Sequence, residues 1–552
     1  MTDTDAKTDS SNPVSPGSAL ENPEYSTSLD GVRNRPAPPK FPRGPDPGIW
    51  WLELPVLLLL VVLSDVTIYS SHGYFGLAAF FGLAPLLFVI GAPRRRFSWQ
   101  TVVVVLMIFG VSLRLIWCGN GLAVTFGFLL LAATSLSLAG GVVTVTEVLR
   151  VIGSILQSSL YSVLVYESWG RKLIGKWIGI PAFTRVLQYV LPPVVGGIFL
   201  CIFVMANPDL SKWLAEELQS MVEQINQWIT RLIDSPWRVF FWGSVLLFAT
   251  GLMRPTAVLL TRAVSAPPAE SVGKRPCELY PAFRNTLMML IALFAAYLCF
   301  EFWTMWTREF PPGFYYAGYA HEGAAWLTVA LGLATLLLSI IFRGGMLTDV
   351  RRPFLQRLGM IWSVENLILA AAVYNRLFIY IDFNGMTRMR VVALLGISAV
   401  VAGVILVVIK IRCGHRFAWV IRHQLVALSL AFYLYAVLPV DAFVNNYNVQ
   451  QILAGNLKPS VQIAHHPTSV EGKLKLFPLL SCPDEIIRNG IAELLNATVS
   501  DLNSIPVPDW TARQIANERF LKQAKQHETE LTAASGENGS WNLYQNYSFQ
   551  WY

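Results

Sequence analysis

The sequence predicts an all-α fold: a polytopic transmembrane helical bundle of about 11 spans, followed by a small helical extramembrane C-terminal domain. Three observations predict it. Of 552 residues, 54% are hydrophobic and 14% charged, with mean hydropathy +0.47; soluble chains carry about 25% charged residues. The formal charge of +7 is unevenly placed, with net −2 in residues 1–48, net −3 in 439–552 and net +12 in the apolar stretch between them. That middle stretch also contains repeated apolar runs of about the 20 residues a span needs. A soluble nucleic-acid binder would put its basic groups on a polar face, so no nucleic-acid partner is expected. The six cysteines are scattered without metal-type spacing, which argues against a disulfide-stapled secreted chain.

Residues 1–48 are rich in Ser, Asp, Pro and Asn, with few large apolar residues. They read as a disordered cytoplasmic tail. Apolar sequence begins only at Ile49, so no cleavable signal is expected. The Pro-rich run 35–47 reads as a tether, or as a polyproline II ligand for a partner.

Residues 49–438 form the expected transmembrane domain. Candidate spans fall at about 50–70, 74–92, 100–117, 121–145, 186–206, 237–259, 284–305, 323–342, 361–381, 389–411 and 417–438. Their connections alternate in charge. Arg94 to Arg96, then Arg171, Lys172, Lys176 and Arg185, then Lys274 and Arg275, then Arg351, Arg352 and Arg357, then Lys410, Arg412 and Arg416 lie on one side. Nearly uncharged turns such as 70–74 and 119–120 lie on the other. The positive-inside rule puts the N-terminus in the cytoplasm, and eleven spans put residues 439–552 on the opposite face.

Two segments read as interfacial. In 208–234, Leu214, Leu218, Met221, Val222, Ile225, Ile229 and Leu232 recur at helical spacing, predicting an amphipathic helix on the outer surface. The stretch 150–176 is a looser counterpart on the inner face, with Arg171, Lys172 and Lys176 placed to meet anionic lipid headgroups. The polar tail 439–552 carries helical patterns at 484–495 and 509–525.

Charge at membrane depth costs about 3 kcal/mol or more unless it is paired or faces water, so such residues are the functional candidates. The densest group is Glu365 and Asn366, then Asn375, Arg376, Tyr380 and Asp382, then a turn carrying Thr387, Arg388 and Arg390. Two readings stay open: a functional site, or an interfacial network that fixes the turn. Asp65, inside the first span, is a proton or cation candidate or an interfacial residue. Pro192-Pro193 and Gly196-Gly197 break the fifth span for substrate binding or for packing. His465-His466 with Cys482 lacks zinc-ligand spacing. Gly-x-Ser-x-Gly, Walker A and His-Glu-x-x-His patterns are absent, and neither a cofactor nor a metal is expected. Trp50, Trp51, Trp99, Trp237, Trp303 and Trp306 near span ends read as an interfacial belt.

Several phrases carry a family resemblance. The stretch 312–323 has a Tyr-Ala-Gly-Tyr-Ala-His-Glu-Gly run, with His321 where Arg is usual. Arg376, Leu377 and Tyr380, followed by Gly385, Met386, Thr387 and Arg390, form a second phrase. Asn445 with Tyr447, Asn448 and Val449 forms a third, and Trp541-Asn542 a fourth. Over roughly half the chain these resemble a bacterial multi-pass membrane family, domain of unknown function forty-one seventy-three, sister to forty-one fifty-three. The resemblance implies an architecture in the bacterial inner membrane and no agreed activity. The expected function is non-enzymatic, either transport-associated or sensory. The alternative is a membrane-embedded enzyme acting on a lipid-linked or phosphate-bearing substrate. It would use Asp65, Glu365 or Asp382 as acid or base and Arg376, Arg388 and Arg390 to hold phosphate.

Overall fold

The apolar runs fold as helices because every backbone polar group can be satisfied within one segment. The structure, a computed structural model, describes residues 51–92, 97–174, 236–255, 279–303, 316–342, 346, 349–413, 415, 417–504, 509–534 and 539–551. Among the described residues all regular structure is helical. Several sequence expectations lie outside them: the 1–48 tail, the 186–206 span with its Pro and Gly pairs, the 208–234 amphipathic helix, and the basic clusters Arg94 to Arg96 and Lys274-Arg275.

The first bundle starts with α1 (Glu53–Ser64), which passes directly into a π-helical turn, Asp65–Tyr69. Next come α2 (Tyr74–Gly91), α3 (Trp99–Cys118) and α4 (Gly121–Leu138). Ser98 and Thr101 form a capping box at the start of α3. The Asn120 side chain accepts the Ala123 amide at 2.7 Å at the start of α4. Each cap satisfies a free first-turn amide and sets where its helix begins. α5 (Val145–Gly153) and α6 (Ile155–Ile174) meet at a 57° bend, and α7 (Pro236–Met253) packs along α6. Ser159 Oγ donates to the Leu247 carbonyl (2.5 Å) and Ser162 Oγ to that of Thr250 (3.3 Å). Such small polar contacts join helices where no hydrophobic gain is on offer. Within the stretch 150–176, the face carrying Ser159 and Ser162 therefore packs against α7. The side chains of Arg171 and Lys172, and all of Lys176, lie outside the described residues.

The second bundle comprises α8 (Tyr280–Glu301), α9 (Tyr316–Ile341), α10 (Arg352–Asn384), α11 (Arg388–Cys413) and α12 (Phe417–Val437). One core layer gathers Leu287, Leu338, Phe342, Trp362, Val407 and Ile411. A second gathers Val373, Leu377, Ile381, Val391, Val440 and Val444. The bundles meet where Tyr433 donates to the Met107 carbonyl (2.9 Å) and Asn120 to that of Ala436 (3.1 Å). Gly110 permits this approach, since a Cβ there would lie 2.6 Å from the Tyr433 hydroxyl.

Among the described residues, seven helices are long and apolar enough to cross a membrane: α2, α3, α4, α8, α10, α11 and α12; α5 with α6 makes an eighth if the bent pair is one span. Of the apolar window of α8 only 6% is buried inside the protein, and of α12 only 17%. A helix this apolar whose surface points mostly outward needs a hydrocarbon surrounding. The count is below eleven for identifiable reasons. α1 has 12 residues before its π turn, only 237–253 of α7 and 326–341 of α9 have described side chains, and 186–206 is not described.

Among the described residues, seven more α-helices follow the last long span: α13 (Val440–Leu453), α14 (Ser460–His465), α15 (Val470–Lys473), α16 (Glu485–Ser504), α17 (Ile515–Gln526), α18 (Glu528–Ala534) and α19 (Ser540–Ser548). They have a core of their own around Leu476, Phe477, Ile487, Ile491, Leu495, Phe520 and Tyr544. The pattern at 484–495 runs on to Ser504, and 509–525 divides into a 3-10 turn, Trp510–Ala512, and α17. These helices cap one end of both bundles. The His72 amide donates to Thr511 Oγ1 (3.1 Å), Phe75 meets Trp510 edge-on, and Arg519 sits over the Trp117 ring. Asn448 accepts from the Met386 amide (2.7 Å) and donates to its carbonyl (2.9 Å).

Candidate functional site

The chemistry of this protein lies in where its membrane-depth charges go. The α10–α11 turn shows how backbone geometry places them. Gly385 adopts φ +85°, a left-handed conformation that ends α10, and a Cβ there would sit 2.7 Å from Asn448 Oδ1. Thr387 Oγ1 then accepts the Arg390 amide (3.3 Å) to start α11. The Arg390 guanidinium folds back onto the Gly385 carbonyl and lies 3.9 Å from the Tyr380 ring centroid. Tyr380, Thr387 and Arg390 thus form one lock around the turn.

Arg376 and Arg388 belong to separate ties. Arg376 is buried, and its fork meets Glu301 at the end of α8, Nε to Oε1 at 2.6 Å and Nη2 to Oε2 at 2.5 Å. Tyr297 adds a third donor to the same carboxylate (2.9 Å). Arg388 makes a bidentate pair with Asp441 on α13 (Nη2 to Oδ2, 2.5 Å), and the Ser469 amide also donates to Asp441 (2.8 Å). Burial works against the Asp441 carboxylate, but the Arg388 guanidinium and the Ser469 amide outweigh it and hold its carboxyl below the usual carboxylate range. The three arginines therefore do not converge on one cleft. Asp382 points outward at the end of α10 and joins none of these groups.

Asp65 occupies the π turn, where Arg238 Nε (2.8 Å) and Trp242 Nε1 (2.8 Å) donate to Oδ1, with a second Arg238 bond to Oδ2. It is a paired charge. Glu365 differs from all of these. It is half-buried, and among the described residues its carboxylate has no cationic or hydrogen-bonding partner.

Two further ties escaped sequence reasoning. Glu53 at the start of α1 accepts two bonds from Arg254 (2.7 and 2.8 Å) and one from Tyr166. Arg114, near the end of α3, makes a bidentate pair with Glu471 on α15 (Nη2 to Oε1, 2.6 Å), and Trp117 Nε1 adds a bond (2.9 Å). Arg114 stands alone in an otherwise uncharged span, which by itself flags it. Its partner lies 357 positions away, beyond any spacing argument.

Short α15 is the point where these ties meet. Glu471 on it takes Arg114 of the first bundle, and Ser469 just before it takes Asp441, already bound to Arg388 of the second bundle. No group of three or more metal-ligating side chains occurs among the described residues, and His465 instead contacts the Gln545 carbonyl (3.2 Å).

Among the described residues, the architecture and its ties define an all-helical fold with seven membrane-capable helices and a helical cap pinned to two bundles. The chain belongs to the family described as Domain of unknown function (DUF4153), whose profile matches residues 56–465. The motifs resemble domain forty-one seventy-three, whereas the profile that matches is that of forty-one fifty-three, and the match reaches back through the first bundle, which carried none of those phrases. No curated protein and no solved structure matches the chain.

Proposed function

We propose that the chain is a non-enzymatic multi-pass protein of the bacterial inner membrane, sensory or transport-associated, whose cap couples two membrane bundles. One observation carries this reading: segment 469–471 engages Arg114 of the first bundle and the Asp441–Arg388 pair of the second. A change at the cap therefore has a direct mechanical route to both bundles. The positive-inside pattern supports about eleven spans, a cytoplasmic N-terminus and a periplasmic cap. A lipid bilayer surrounds the helices, and Arg171, Lys172 and Lys176 meet anionic headgroups on the inner side. An enzyme on a phosphate-bearing lipid is less well supported, because Arg376, Arg388 and Arg390 each have a different partner.

The experiment is hydrogen exchange on the full chain in nanodiscs, comparing the natural sequence with E471Q and with D441N. Loss of protection in α13–α17 and in the loops at 70–73 and 118–121 is expected in both variants. Unchanged protection there contradicts coupling through these ties.

A further inference from the structure

The carboxylates of Glu53, Asp65, Glu301, Asp441 and Glu471 each meet an arginine, and that of Glu365 meets none among the described residues. α10 has 33 residues and is about 50 Å long; Glu365 lies about 5 Å from its midpoint. Ile361, Val364, Glu365 and Ile368 fall at i, i+3, i+4 and i+7, and the three apolar members are each about half exposed. Glu365 thus sits at the edge of the outward-facing stripe, where a membrane protein meets hydrocarbon. On its inner side, at i−3 and i+1, are Trp362 and Asn366, both fully buried. Glu365 Oε2, Asn366 Oδ1 and Trp362 Nε1 all lack a hydrogen-bond partner. Two orphaned acceptors and one orphaned donor within a single helical turn form the densest set of unsatisfied side-chain atoms among the described residues.

The titratable groups on the helices packed against α10 are occupied elsewhere. On α8, Tyr280 lies under the Arg351 guanidinium, Arg284 holds Asn285, Cys299 is exposed on the surface, and Tyr297 and Glu301 belong to the Arg376 tie. On α9 the described residues Trp326–Ile341 contain no ionisable side chain. On α11, Arg388 and Arg390 serve the turn, Lys410 donates to the Ser339 carbonyl (2.7 Å), and Arg412 and Cys413 are exposed at the far end of the helix. An ionised carboxylate facing hydrocarbon without a cation is the least tolerable state available to Glu365. The acid form removes the charge and gives the carboxyl a donor beside the unmet Asn366 Oδ1.

We propose that Glu365 is a proton-binding site within the membrane-spanning part of α10, held as the neutral carboxylic acid beside Asn366 and Trp362. The ligand is a proton, and the reaction is the reversible loss and gain of H⁺ at one carboxyl oxygen. This goes beyond the coupling role of the cap and rests only on the part of that reading that places α10 in a membrane.

A lipid-soluble carbodiimide tests it on the full chain in native membranes. The acid's O–H proton moves to a carbodiimide nitrogen as the carboxyl oxygen adds to the central carbon, and rearrangement leaves a stable N-acylurea of added mass. Peptide mass spectrometry is expected to find the adduct at Glu365 and not at Glu53 or Glu301, whose carboxylates are held by arginines. Adduct yield is expected to fall as pH rises, to persist in E365D and to vanish in E365Q. A water-soluble carbodiimide run in parallel is expected to spare Glu365. If neither reagent modifies Glu365 across the acid-to-neutral range, the proton site is overturned and the membrane placement stands. If the water-soluble reagent modifies it, the membrane placement of α10 fails as well.

Discussion

The cap-facing end of the bundles and the middle of α10 handle buried charge in opposite ways. At the cap, Arg114 and Arg388 each find a carboxylate on another element, with further donors from Trp117 and the Ser469 amide. In α10, Glu365 finds none. Removing half of a satisfied buried pair strands a charge, whereas an unpaired carboxyl can be neutralised in place with no partner left behind. The first arrangement is built to hold elements together, the second to respond to protons.

That contrast breaks first at the fully buried pairs. Arg376→Ala leaves Glu301 charged and buried, and a loss of about 3–5 kcal/mol is expected, enough to abolish accumulation in membranes. Immunoblot and size-exclusion yield check it, and E301Q/R376Q together should recover part of the loss. Glu471→Ala strands Arg114 in the same way, and here about 3 kcal/mol is expected. The cap should become protease-sensitive while the bundles stay intact, as limited proteolysis of reconstituted protein would show.

Acid sharpens the comparison. The folded-state carboxyl of Asp441 titrates below its unfolded value of about 3.9. Its stabilising contribution is therefore fully present above that value and is lost as pH falls through the lower folded one. Cap docking, followed by Trp510 fluorescence, should stay flat from neutral pH down to about 5 and loosen only in stronger acid. R388A should lift that acid transition toward the unfolded value. A smaller effect is expected from Gly385→Ala, where the left-handed backbone and the close Asn448 oxygen together cost about 1–2 kcal/mol. Thermal unfolding in detergent measures it. Glu365→Gln should change stability least, since an isosteric neutral amide replaces a neutral acid; a melting shift as large as that of R376A would place Glu365 among the structural ties.

Much of the fold was legible because it depends on local pattern. Apolar runs, polar caps such as Ser98 and Asn120, and the Gly385 turn all leave signals within a few residues. The Arg376, Tyr380, Thr387, Arg388 and Arg390 group was visible from charge cost, but not its division into three separate ties. Those partners are set by tertiary contact: Glu301 lies 75 positions from Arg376, and Asp441 lies 53 from Arg388. The contact between α6 and α7 is set in the same way: Ser159 and Ser162 donate to the carbonyls of Leu247 and Thr250, each 88 positions away. Glu365 could be flagged from sequence alone, but that it lacks a partner became evident only once every neighbour had been placed.

The cap ties the two bundles together through segment 469–471. Spin labels at the outward-facing positions of Leu106 on α3 and Ile368 on α10 report the separation of the bundles directly. In the natural sequence one narrow distance distribution is expected, and in the E471Q/D441N double variant a broadened or shifted one. An unchanged narrow distribution in a folded double variant would contradict the account.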